Sequence, residues 1–132
     1  MFINKKTGAS YGFVAPEISE DAGNDIKVQF PTFETQNAKL ENNAASVTVK
    51  RTTTLVELNK EALTAAATLT AEADANLPAG ARLMVKWING GTKYDVTLKL
   101  DASTTCATLT GVASTTVCYE LVWTGKTWQL LK

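Results

Sequence analysis

Tyr119-Glu120-Leu121-Val122-Trp123-Thr124-Gly125-Lys126-Thr127-Trp128-Gln129-Leu130-Leu131-Lys132 closes the chain, with two apolar runs flanking a short polar centre. Gly at the first central position of a two-residue loop supplies the positive φ of a type II′ turn, so Gly125-Lys126 predicts a β-hairpin. In that register Trp123 faces Trp128, Leu121 faces Leu130 and Val122 faces Gln129. A type I′ loop at Thr124-Gly125 would instead set Leu121 opposite Trp128. Two opposed tryptophans clamp a turn, and such cross-strand pairs contribute about 0.2–1 kcal/mol beyond burial. A chain ending this way reads as β-structure.

Working back, residues 81–100 predict a second hairpin, with Asn89-Gly90 and Gly90-Gly91 as competing loops. A Gly90-Gly91 turn sets Trp87 opposite Tyr94, Val85 opposite Val96, Leu83 opposite Leu98 and Lys86 opposite Asp95. The Asn89-Gly90 register opposes Lys86 to Lys93, a like-charge clash, so complementarity selects Gly90-Gly91. Ser46–Lys50 alternates cleanly and Thr53–Leu58 is rich in β-branched residues, so each predicts a strand. From Leu58 to Asn76 the pattern fits a helical face and an alternating strand. The expectation is a short turn or helical piece near Asn59–Leu63, then a strand from Ala66 to Ala73. Asp101–Thr116 is rich in Thr and Ser, either the solvent side of a sheet or a binding face. About seven or eight short strands at ~8–12-residue spacing indicate a sandwich, jelly roll or small barrel.

The expected fold class is therefore mainly β: a small antiparallel β-sandwich, jelly-roll-like or barrel domain over residues 46–132, with an extended N-terminal arm over 1–45. The arm holds Gly8, Gly12, Gly23, Pro16 and Pro31 between polar stretches, and only Ile26–Phe30 alternates. Such a segment builds no core alone. All four Phe residues lie in it, Phe2, Phe13, Phe30 and Phe33, while Trp87, Trp123 and Trp128 lie in the last half. Spaced anchors on an aperiodic segment suit docking on a partner surface or wrapping the chain's own domain.

Composition narrows the chemistry. Thirteen basic and thirteen acidic residues cancel, so no net field draws the chain to nucleic acid or an anionic membrane. No run of ~18 apolar residues predicts a membrane span. Polar residues after Met1-Phe2-Ile3 occupy the place of a signal peptide's apolar stretch, so none is expected. Much of the 45% hydrophobic content is Ala, which predicts a thin core and favours self-association. With no histidine, Ser-His and Cys-His pairs and most zinc sites are excluded. No catalytic residue, cofactor or metal is expected. Cys106 and Cys118 are expected reduced, unless a hairpin around Val112 sets them face to face.

The Ala/Thr strand Leu63–Asp74, the loop Leu77-Pro78-Ala79-Gly80, the strand ending near Trp87 and the closing Trp-Thr-Gly-Lys-Thr-Trp hairpin form one series. Over residues 60–132 this series resembles the β-modules of tailed-phage capsid decoration and head-fibre proteins. The resemblance implies a non-catalytic virion structural protein on the capsid exterior, assembled in the host cytoplasm. Its implied partners are the major capsid protein, further copies in a homotrimer, and a host-surface glycan. No family binding residue carries over, because the matching motif is structural. From the residues themselves, Phe2, Phe13, Phe30 and Phe33 are the capsid-docking candidates. Trp87, Tyr94, Trp123 and Trp128 are candidates for a structural lock or interface. A carbohydrate-binding or host-adhesion β-module is the alternative, with the three tryptophans as sugar-stacking candidates.

Overall fold

The computed structural model describes residues 33–131. Nine strands run through them: β1 (Phe33–Ala38), β2 (Ala44–Val49), β3 (Thr53–Leu58), β4 (Ala67–Ala73), β5 (Arg82–Ile88), β6 (Val96–Lys99), β7 (Thr105–Leu109), β8 (Thr116–Trp123) and β9 (Trp128–Leu130). They form two sheets, β1-β3-β5-β8-β9 and β2-β4-β6-β7. Strands β2, β3 and β4 fall where alternation places them, because their inward residues (Val47 and Val49; Val56 and Leu58; Ala67, Leu69 and Ala71) are the apolar ones.

The domain is mainly β, but its sheets are mixed. The chain switches sheet at every step from β1 to β6, so each strand pairs in parallel with the strand two earlier. β1 pairs β3 and β3 pairs β5 in one sheet, while β2 pairs β4 and β4 pairs β6 in the other. Parallel neighbours need a crossover connection, and here each crossover is itself a strand of the opposite sheet. Antiparallel pairing begins only at the end, with β6–β7, β5–β8 and β8–β9. The antiparallel domain read from the sequence is thus corrected to stacked parallel turns with an antiparallel close.

Two hairpin expectations fall with it. Leu83–Leu98 and Trp87–Tyr94 do not pair across Gly90-Gly91, since β5 and β6 lie in different sheets. Lys86 instead sits beside Glu57 (Nζ to Oε2, 3.3 Å), and Asp95 accepts from Gly111 N (2.8 Å). Cys106 on β7 and Cys118 on β8 are likewise in different sheets, and both are free thiols. Partial desolvation pushes the Cys118 thiol up; Lys86 opposes the shift and Glu120 adds to it. The helical piece near Asn59–Leu63 is absent. Asn59 takes a left-handed backbone (φ 59°), which ends β3 and breaks a right-handed helix, and Leu63 bridges to Asn89. The arm's boundary also moves: β1 and the start of β2 place residues 33–45 in the β domain.

The closing hairpin has the register of the Gly125-Lys126 loop, with Trp123 opposite Trp128. Gly125 has φ 99°, and Thr124 Oγ1 accepts from the backbone N–H groups of Lys126 and Thr127. Thr124 N–H to Thr127 O (3.0 Å) makes 124–127 a hydrogen-bonded pair, so Trp123–Trp128 is a non-hydrogen-bonded pair with side chains close. The rings lie 5.1 Å apart at 55°.

One side-chain bond joins the sheets inside the core. On β4, Ala67 N–H donates to Asp95 O and Thr68 N–H to Asn43 O, so odd residues face β6 and even ones β2. Pairing with β6 stops at Thr70–Lys99. Ala71 is the next odd residue, and its buried carbonyl is left without a strand partner. Trp128 Nε1 of the other sheet donates to it at 2.9 Å.

Trp128→Ala is expected to cost about 3–5 kcal/mol through lost volume and an orphaned carbonyl. Trp128→Phe, which keeps most of the ring, costs about 1–3 kcal/mol. Urea unfolding should show both as a lower midpoint with an unchanged slope.

Candidate functional site

The capsid-docking candidates Phe2, Phe13 and Phe30 lie outside the described residues. Phe33 opens β1 and belongs to the β domain. The four lock candidates are all in the domain, in two groups. Trp123 and Trp128 clamp the closing hairpin as the sequence indicates. Trp87 and Tyr94 do touch, but not as a ring pair: Trp87 Nε1 donates to the Tyr94 backbone carbonyl at 3.2 Å. The ring partner of Trp87 is Tyr119 on β8, at 5.9 Å and 18° between planes. Tyr119 escapes a reading of the sequence because its partner strand is set by the β5–β8 pairing, far away in the chain. Its hydroxyl donates to Thr110 O at 2.8 Å.

The Tyr94 carbonyl is the centre of a polar hub. It also accepts from Asn89 Nδ2 (3.3 Å), which reaches Val112 O as well (3.2 Å). Asn89 is buried and its backbone N–H donates to Thr115 O (3.0 Å), while Ser114 N–H donates to Gly90 O (2.6 Å). Asp95 Oδ1 holds Gly111 N–H. The β5–β6 crossover and the β7–β8 crossover are thereby sewn together at one end of the domain. Gly111 sits against the Tyr94 carbonyl and Asn89 amide so closely that a Cβ would overlap both.

The opposite ends of these strands border an open hollow of about 380 Å³. Glu72, Asp74, Leu77, Leu100, Asp101 and Trp123 are among its walls. They come from the end of β4, the loop after it, the β6–β7 turn and the last residue of β8. Asp101 is tied into its own turn: Oδ1 accepts from Ser103 N (2.9 Å), Thr104 N (2.8 Å) and Ser103 Oγ, and Oδ2 from Thr104 Oγ1. The Ser103 and Thr104 backbone N–H bonds hold this carboxyl below its ordinary pKa of 3.8, with the Thr104 and Ser103 hydroxyls adding to it and slight desolvation opposing. Asp74 Oδ2 accepts from Asn76 N (3.1 Å). A second hollow of similar size lies against Asn37, Lys39, Asn59, Lys60 and Glu61.

Of the Thr- and Ser-rich stretch Asp101–Thr116, Thr105 and Thr108 stand on the outer face of the second sheet, while Ser103, Thr104, Ser114 and Thr115 lie in the connections on either side of β7. Thr68, Thr97 and Thr108 share one cross-strand row, and Ser46, Thr70, Lys99 and Thr105 another. Among the described residues there is no group of acids and thiols set to hold a metal ion, and no helix long and apolar enough to cross a membrane. No family model matches the chain, and comparison with curated proteins finds no match.

Gly111→Ala is expected to lower stability by about 1–3 kcal/mol, because backbone atoms of the hub must move; thermal unfolding measures it. Asp101 contributes stability that is present above its ordinary pKa and lost as pH falls through the lowered one. Asp101→Asn should remove that part of the acid-side slope in Tm against pH.

Proposed function

We propose that the protein is a non-catalytic structural component of a phage virion that binds the capsid exterior. The observation that carries the reading is the double-sheet domain braced across its core, preceded by a segment bearing Phe2, Phe13 and Phe30. Residues 60–132 supply the resemblance to decoration and head-fibre modules. In this reading the N-terminal phenylalanines bury on the major capsid protein, and the braced domain projects outward. Binding only the assembled shell stabilises it by mass action. Copies associate through the domain, as a homotrimer. Leu130 (40% exposed) and Leu131 (43% exposed) beside the edge of β9 give that contact an apolar patch.

The boundary at Phe33 sharpens the test. Removing residues 1–45 would delete β1 and part of β2, so the informative truncation removes 1–32. Full-length protein is expected to co-sediment with capsids lacking it, and the truncated protein to stay in the supernatant. Equal binding by both would dismiss the arm. Light scattering should give three chain masses for the full-length protein and a lower mass for Leu131→Asp.

A further inference from the structure

Among the described residues β1 is an edge strand, paired only with β3. Its inward side chains are Glu34, Gln36 and Ala38, and of these only the small Ala38 is buried. The other edge strands seat larger groups: Val47 and Val49 on β2, Leu109 on β7 and Trp128 on β9. Apolar burial by residues 34–38 therefore holds β1 more weakly than any of these.

Polar groups work against its attachment. Glu34 and Thr54 are partners across β1 and β3. Thr54 is fully buried, and Thr54 Oγ1 and Glu34 Oε1 are both enclosed with no hydrogen-bond partner. Enclosed polar atoms without partners favour any state that wets them, and detaching β1 wets both. What opposes release is the backbone ladder to β3 and one side-chain bond, Gln36 Nε2 to Thr48 O at 3.1 Å. The connection after β1 is fixed more firmly. Glu41 and Ala44 exchange two backbone bonds (2.8 and 3.0 Å), and Thr68 N–H donates to Asn43 O (2.9 Å). An opening that begins at Phe33 stops at that turn.

We propose that β1 is a releasable strap: it detaches from β3 as a unit, hinged at the Glu41–Ala44 turn, while the other strands stay folded. The strap follows from the β domain alone; only its use rests on the docking reading above. Release adds residues 33–38 to the segment between the docking phenylalanines and the domain, a reach of about 20 Å at ~3.3 Å per residue. That slack lets the domain shift over the shell without undocking.

Strand β3 reports both of its neighbours. Asn59 N–H donates to Ala38 O at 2.9 Å, so the odd-numbered N–H groups of β3 face β1. Arg82 N–H donates to Thr52 O at 2.7 Å, so the even-numbered ones face β5. The test is native-state amide hydrogen exchange on the ¹⁵N-labelled full-length chain. Leu55 and Glu57 are expected to exchange about a hundredfold faster than Val56 and Leu58, which open only with the whole domain. Thr54→Val removes the unmet hydroxyl and should slow Leu55 and Glu57 about tenfold. Glu34→Met, on the edge strand, should slow them as well and covers the case in which Thr54→Val fails to fold. Capsid co-sedimentation is a separate readout, so the docking reading and the strap can fail independently. Two results would overturn the strap: Leu55 and Glu57 exchange as slowly as Val56 and Leu58, or they exchange faster and neither variant slows them.

Discussion

The buried hydrogen bond from Trp128 Nε1 to Ala71 O depends on β4 outrunning β6. A β-sheet whose strands differ in length leaves backbone groups exposed at the step, and inside a core those groups cost about 1–3 kcal/mol each if unmet. The short β6 turns away after Lys99, and the gap beside Ala71 is filled from the opposite sheet. That position is available to Trp128 only because the turn at Gly125 sets β9 against β8 in one register. A slip of one residue would turn the indole out to solvent. At the far edge of the stack a smaller bond has the same form: Gln36 Nε2 on β1 donates to Thr48 O on β2 at 3.1 Å. In both, a side chain on an edge strand of the first sheet meets a backbone carbonyl that the second sheet's own ladder leaves unpaired.

Between these ties the stack depends on alternation between sheets. A chain that changes sheet at every strand can place parallel neighbours together without helices, and every pairing from β1 to β6 is non-local. Such topologies fold slowly, since loop closure precedes any reward from contact. The hub around the Tyr94 carbonyl matters in this light. It fixes the crossover after β5 against the crossover after β7, where the chain leaves the parallel pattern and begins to close.

Sequence alone carried the local features. The β8–β9 register, the limits of β3 and the inward faces of β2, β4 and β5 follow from period-two patterning and one glycine. Strand neighbours did not follow, because alternation specifies which face is buried and not which strand lies alongside. Leu83, Val85 and Trp87 point at the same core whether Val96 and Leu98 sit beside them or across from them. Lys86 illustrates the ambiguity: Asp95 and Glu57 are equally good partners on charge, and only pairing with β3 selects Glu57. The candidate site was legible in part. Trp123 and Trp128 look equivalent in the sequence, and their difference lies in one carbonyl, Ala71, which no side-chain pattern marks. Asp74 and Asp101 join Trp123 only through strand ends that are remote along the chain.

The central claim is that β5 and β6 belong to different sheets. A through-space NMR contact map of the backbone and methyl groups tests it most directly. The account predicts parallel-ladder contacts between Val56 and Val85 and between Leu69 and Leu98, with β8 antiparallel to β5. Backbone cross-strand contacts between Val85 and Val96, with Trp87 opposite Tyr94, would show a hairpin at Gly90-Gly91 and contradict it.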